Sequence, residues 1–227
     1  MSETCTRVQS VLAGIADAAK STGRSPASVS LLAVSKAQSP MRIREAYDCG
    51  LRCFGENYAQ EALAKIEALR SCDIEWHFIG PVQANKTRGI AERFAWVHTL
   101  DREKIAKRLS DQRPVHLPPI NVCLQVNVSG ESSKSGVAID ALPDLAACMS
   151  DLSRLRLRGL MAIGAAGLSD HAQRRQFERV RLALGALNAS GWLCDTLSMG
   201  MSDDYRAAIA EGATIVRMGT ALFGPRG

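Results

Sequence analysis

Short apolar runs alternate with helix-period segments from one end of the chain to the other, and this alternation restricts the fold more than any other feature. The runs are 30–35, 51–55, 74–80, 96–100, 120–128, 157–164, 196–200 and 214–218. Between them, segments 42–49, 58–69, 85–94, 103–112, 140–151, 172–189 and 203–211 carry apolar residues at helical spacing. Strands that alternate with helices predict parallel pairing, because a parallel neighbour needs a crossover long enough to hold a helix. Eight such units in 227 residues predict one domain over residues 1–227, a closed (β/α)8 barrel. The first stretch, MSETCTRVQSVLAGIADAAK, adds an amphipathic helix ahead of it. A doubly wound open sheet is the alternative.

Period-two counting assigns the strand faces. In 120–127, Asn121, Cys123, Gln125 and Asn127 share one face, and Val122, Leu124 and Val126 share the other. The apolar set is expected against the helices, which leaves Gln125 and Asn127 near the upper mouth. On the first strand, Leu32, Val34 and Lys36 share a face. With Leu32 and Val34 filling the barrel, Lys36 rises into the mouth, where barrels of this kind keep their sites. His77 points either inward or towards the helices.

The net charge of +5 suits a small anionic ligand and falls short of a nucleic-acid signature. The arginines at 154, 156 and 158 and the RRQFERVR segment read as solvated faces. Seven cysteines at scattered spacing, with no C-x-x-C, predict reduced thiols rather than a disulfide framework. The histidines show no ligand spacing, so no metal site is expected. No signal peptide or membrane-length apolar run is present, which predicts a cytoplasmic protein that does not enter a membrane. No broad apolar helix face stands out, which predicts a monomer.

Chemistry gathers at the strand ends. Lys36 closes the first, FGEN the second, SMGMSDD the seventh and VRMGTALFG the eighth. Gly200, Ser202, Gly219 and Thr220 are small or donor-bearing and stand on the last two strands, where barrels often hold phosphate. Arg217 adds a fixed cation. Asp203 and Asp204 oppose an anion there, and Ser202 reads equally as a helix N-cap with acids complementing the dipole. Asn57 is either a site residue or the N-cap of the next helix. A lysine amine facing an anion cradle suits a ligand with both an aldehyde and a phosphate.

LLAVSK, FGEN, WHFIGPVQANK, SKSG, LRLRGLMAIG, LSMGMSDD and VRMGTALFG follow one another over nearly the whole chain. Together they resemble the signature set of the pyridoxal phosphate homeostasis protein family. That family is similar to the N-terminal barrel of alanine racemase, the fold type III arrangement. The resemblance implies that Lys36 carries pyridoxal 5'-phosphate as an internal Schiff base. It implies a phosphate site at Ser202, Gly219 and Thr220, helped by the backbone at Met201. Arg217 matches the racemase arginine that faces the pyridine nitrogen. Ser198 belongs to the same motif, and Asn57 would approach the cofactor's phenolic oxygen.

Departures from the racemase pattern bear on activity. The racemase uses a second base, a tyrosine carried by another domain, and this sequence ends at Gly227 just after the eighth strand. Gln38, Ser39 and Pro40 follow the lysine where the racemase has a tyrosine. Tyr47, Tyr58 and Tyr205 lie in or beside helices, and none is an obvious second base. An arginine against the pyridine nitrogen also weakens the ring as an electron sink. The expectation is a non-enzymatic carrier of pyridoxal phosphate that acts in its homeostasis, shifts amino- and keto-acid balance indirectly and has apo-enzymes as clients. A racemase-like enzyme, or an aldolase-type barrel using Lys36 without cofactor, are the alternatives. Lys86 and Lys134 are further lysines with no assigned role.

Overall fold

The computed structural model describes residues 2–128, 135–165 and 167–224. Eight parallel strands close into a barrel in chain order: β1 (Ser30–Val34), β2 (Cys53–Glu56), β3 (Glu75–Phe78), β4 (Trp96–Leu100), β5 (Ile120–Val126), β6 (Leu155–Ala162), β7 (Thr196–Ser198) and β8 (Ile215–Met218). The ring closes where β1 pairs with β8, with Leu32 opposite Arg217. The (β/α)8 barrel read from the alternation is therefore the fold, and the open sheet is not.

The predicted helices form between the strands as α2 (Pro40–Asp48), α3 (Ala59–Ala68), α4 (Thr87–Arg93), α5 (Glu103–Gln112), α6 (Leu142–Ala147), α7 (Asp170–Ala189) and α8 (Tyr205–Ala210). The helix expected over 140–151 shortens to α6 because Pro143 sits in its first turn and Ile139–Ala141 form a separate 3-10 turn. The helix expected from residue 203 starts at Tyr205, because Met201–Asp204 fold into a turn in which the Tyr205 amide donates to Met201 O at 2.8 Å. A last short helix, α9 (Thr220–Phe223), follows β8 and was not expected from the sequence.

The helix ahead of the barrel is α1 (Glu3–Ser21). Ser2 caps it by accepting from the Cys5 amide at 3.2 Å, while Glu3 and Lys20 complement its two ends. It packs on α2, α8 and α9. Where scattered spacing predicts free thiols, Cys5 and Cys49 are paired as a disulfide. They lie 44 residues apart, yet the packing of α1 on α2 brings their Cα atoms to 5.2 Å. Linear spacing carries no record of that contact. Cys53, Cys72, Cys123, Cys148 and Cys194 are free thiols.

Strand faces fall as period two predicts. Val122, Leu124 and Val126 join the layer between strands and helices, with Leu31, Ala33, Trp76 and Phe78. Trp96, Cys123 and Met161 form a separate cluster inside the barrel. Two glycines permit close approaches. Gly159 has φ +157, and a Cβ there would lie 1.9 Å from Thr196 O, so β6 and β7 could not pair as they do. At Gly80, just past β3, a Cβ would lie 2.0 Å from Asn57 O.

Candidate functional site

Lys36 stands two residues beyond β1, half-buried, at the C-terminal mouth of the barrel. Its turn is held from behind by a buried ionic cluster. Lys65 of α3 donates to Ser35 O at 2.7 Å, to Glu56 Oε1 at 2.8 Å and to Glu61 Oε1 at 2.5 Å. Ser35 Oγ donates to the same Glu56 oxygen at 2.6 Å, and the Ala37 amide donates to Glu61 Oε1 at 2.7 Å. Ala37 has φ 61, a left-handed conformation that costs a non-glycine residue about 1–2 kcal/mol. The Gln38 amide closes the turn onto Ser35 O at 3.0 Å, and Ser39 then caps α2. Burial raises the Glu56 carboxyl above its ordinary value, against the lowering effect of Lys65 and Ser35. Its second oxygen is buried without a partner among the described residues.

Lys36, Met201, Ser202, Arg217, Gly219 and Thr220 line one open cavity of about 510 Å³, with Val34, Asp203 and Ala221. That size lies within the roughly 300–1,000 Å³ usual for small-molecule sites. Ser202 and Thr220, which carry hydroxyls, line the cavity with Lys36 and Arg217, and α9 begins at Thr220, so its first amides have no partner within the helix. Ser202 is not a helix N-cap, because Asp204 occupies that position of α8. Gly219 lets β8 and β1 close up, since a Cβ there would stand 3.1 Å from Val34 O.

Two expected residues stand differently. The Met201 amide, expected to help hold a phosphate, donates instead to Asp204 Oδ1 at 2.6 Å. Asp204 is turned inward and buried, with its carboxyl raised chiefly by burial, while Asp203 stays exposed at the cavity edge. Asn57 lines a neighbouring cavity of about 210 Å³ with Thr99, Gln125 and Asn127 rather than the one holding Lys36. Asn57 is not the N-cap of α3; Tyr58 is. Its Oδ1 is buried and makes no hydrogen bond among the described residues.

Ser198 lies beneath the cavity, fully buried, and fixes Arg217 from below. Arg217 donates through one terminal nitrogen to Ser198 O at 2.6 Å and Ser198 Oγ at 2.9 Å, and through the other to Ala162 O at 2.9 Å. Its Nε has no partner among the described residues, and the side chain lines the cavity. Burial lowers the guanidinium to about 10.

Sequence reading missed what stands behind Arg217. His98 Nδ1 meets Ser198 Oγ at 2.8 Å, His98 Nε2 meets His77 Nδ1 at 2.9 Å, and His77 Nε2 meets Glu75 Oε1 at 2.9 Å. The His77 ring points into the barrel and stacks on Trp96 at 5.4 Å. Burial lowers both histidines, so both rings are neutral near pH 7. A carboxylate only accepts, so His77 Nε2–H donates to Glu75, His77 Nδ1 accepts from His98 Nε2–H, and His98 Nδ1 accepts from Ser198. A polarised hydrogen-bond file thus runs through the barrel from Arg217 to the opposite rim. Inward-facing positions on β3, β4 and β7 were the only sequence signal for it. Lys65 and Glu56 were legible only as members of a helix and a strand.

Lys86 caps α4 and reaches neither cavity's lining beside Lys36, and Lys134 lies outside the described residues. The three tyrosines face away from the cavity. Tyr47 accepts from the Asp73 amide, Tyr58 is exposed, and the Tyr205 hydroxyl stands against Gly14 of α1.

Comparison with known proteins places this arrangement. Residues 15–227 match the family profile described as alanine racemase, N-terminal domain. A pyridoxal phosphate homeostasis protein of Pseudomonas aeruginosa is 58% identical over 226 residues, spanning 100% of this chain and 97% of that protein. The protein of the same name from Escherichia coli K12 is 53% identical over 218 residues, 93% of this chain and 92% of that one. Among solved structures, PipY of Synechococcus elongatus PCC7942 with PLP bound superposes with a TM-score of 0.81 at 37% identity, covering 92% of this chain and 100% of that chain. By its barrel, its motifs and these likenesses, the chain belongs to the alanine racemase N-terminal domain family, among the pyridoxal phosphate homeostasis proteins.

Proposed function

We propose that this protein binds pyridoxal 5'-phosphate covalently at Lys36 and holds it for release, acting in homeostasis of the cofactor rather than as a catalyst. The observation that carries the reading is the meeting, in one cavity, of the Lys36 amine, the Arg217 cation and the Ser202 and Thr220 hydroxyls. The donor set fits the group: an amine for the aldehyde, hydroxyls and the first-turn amides of α9 for the phosphate, and for the ring a cation whose Nε has no partner among the described residues. When bound, pyridoxal phosphate supplies an aldehyde that condenses reversibly with an amine and an electron-withdrawing ring.

The chain's own residues then divide the work. Lys36 Nζ holds the ligand, and the Lys65–Glu56–Glu61 cluster fixes the turn that presents it. Ser202, Gly219 and Thr220 form the phosphate end. Met201 contributes a side chain to the wall, its amide being taken by Asp204. Ser198 orients Arg217, whose fixed charge disfavours a proton on a ring nitrogen placed against it. Asn57, whose buried Oδ1 has no partner among the described residues, lines the adjoining cavity.

The absence of Tyr, Cys and His from the described lining of both cavities supports holding over turnover, because racemisation needs a second acid–base group opposite the lysine. In this reading residues 1–227 are one cofactor-binding domain, a cytoplasmic monomer whose clients are apo-enzymes that need pyridoxal phosphate. Among the described residues, no helix is long and apolar enough to cross a membrane.

Borohydride reduction of the loaded protein, followed by peptide mass mapping, tests the attachment. The label belongs on the peptide containing Lys36, and Lys36→Ala should lose both it and the visible absorbance. A label on Lys86 or Lys134 instead, or sustained alanine racemisation by the purified protein, would overturn the reading.

A further inference from the structure

The rim opposite the cofactor cavity carries a second group of donor atoms. Cys53 opens β2 and Glu75 opens β3, directly opposite one another in the strand register, and His77 follows two residues on, on the same inward face. Cys53 Sγ lies 3.8 Å from Glu75 Oε1, and His77 Nε2 lies 2.9 Å from the same oxygen. One sulfur, one oxygen and one nitrogen all fall within 4.8 Å of one another. A tetrahedral ion at the usual bond lengths of about 2.0–2.3 Å spaces its donors about 3.2–3.7 Å apart. The two contacts to Glu75 Oε1 lie within a few tenths of an ångström of that spacing, and the sulfur and the nitrogen stand no more than 4.8 Å apart.

From this geometry we infer a divalent metal site at Cys53, Glu75 and His77, suited to zinc. A thiolate, an imidazole and a carboxylate together favour zinc and its late first-row neighbours over magnesium or calcium. The side chains grade from buried His77 through half-buried Cys53 to Glu75, 47% exposed, so the fourth position opens to water.

The surrounding residues already do what an outer shell does. His77 Nδ1 is engaged by His98, which sets the ring's orientation, and Trp96 stacks on that ring. Arg158 lies over Trp96 at 4.9 Å, and its charge is met by Asp195 at 2.7 and 2.9 Å.

Metal binding releases one proton, from the Cys53 thiol. The metal takes the His77 Nε2 lone pair, so that ring must carry its proton on Nδ1 and donate to His98 Nε2. His98 then carries its own proton on Nδ1, towards Ser198. The file beneath Arg217 therefore reverses its direction when the rim is occupied.

No sequence spacing announces the site, because its donors come from two strands joined by α3 and meet only through the β2–β3 register.

Cobalt titration of the reduced, cofactor-loaded protein tests it. One equivalent should give a thiolate-to-cobalt charge-transfer band and strong red-region ligand-field bands. Zinc should displace both, and a chromophoric chelator should report zinc affinity at least 100-fold weaker in Cys53→Ala and 10-fold weaker in Glu75→Gln. Nitrogen-15 spectra of the histidines should show the His77 proton moving from Nε2 to Nδ1 on zinc addition. A spectrum without charge transfer, or one unchanged in Cys53→Ala and so arising at another thiol, would overturn the site. Neither result depends on where pyridoxal phosphate attaches.

Discussion

Replacing Lys65 by Met would expose the energetics of the turn that presents Lys36. The lysine side chain is 5% exposed and its partner Glu56 is 0% exposed. Methionine keeps the apolar stem and removes the ammonium, so three hydrogen bonds vanish and Glu56 is left as a buried, uncompensated carboxylate. Removing one partner of a buried pair costs about 3–5 kcal/mol. At about 2–4 °C per kcal/mol for a chain of this size, the midpoint of thermal unfolding should fall by on the order of 10 °C.

The loss should depend on pH in a definite direction. Burial already raises Glu56, and loss of Lys65 removes the main effect opposing it. A carboxyl raised in the folded state binds protons there more readily than in the unfolded chain. Stability therefore falls as pH rises through the interval between the unfolded and folded values, by at most about 1.4 kcal/mol per pH unit. The variant's deficit should be largest at pH 8 and shrink towards pH 5.

Urea unfolding at both pH values, with m unchanged, measures it. Glu56→Gln in the same background should recover part of the loss by removing the stranded charge. A deficit below about 1 kcal/mol at pH 8, or one equal at pH 5 and pH 8, would refute the claim that this cluster is a dry ionic clamp.

Gly80→Ala places a Cβ 2.0 Å from Asn57 O, a backbone atom that cannot rotate away, and should cost more than about 3 kcal/mol by thermal unfolding while weakening retention of pyridoxal phosphate in a visible-absorbance titration. Cys49→Ser removes a bridge closing 44 residues, for which chain entropy gives up to about 4 kcal/mol. That loss should appear in urea unfolding under oxidising conditions and disappear when the parent is measured with reductant; equal stabilities in both conditions would mean the two sulfurs do not bond.

The barrel was legible because its signal is local and repeated. Strand-length apolar runs alternating with helix-period segments leave few ways to bury every apolar face, and period two placed Val122 and Leu124 outward and Cys123 inward. Lys36, Arg217, Ser202, Gly219 and Thr220 were legible for a related reason. The fold sends the C-terminal ends of all strands to one mouth, so residues at strand ends must converge. Asn57 and Met201 show the limit of that argument, since reaching the mouth does not say which cavity a side chain enters or whether an amide is already engaged.

What only the tertiary structure decided are contacts between elements distant in sequence. The partners of Lys65, the Cys5–Cys49 bridge, the file from Arg217 to Glu75 and the donor cluster at the opposite rim all depend on register and helix packing. Sequence patterning fixes which face of a strand or helix is buried. It does not fix which polar atoms meet once buried, because that is set by ångström-scale offsets between neighbouring elements.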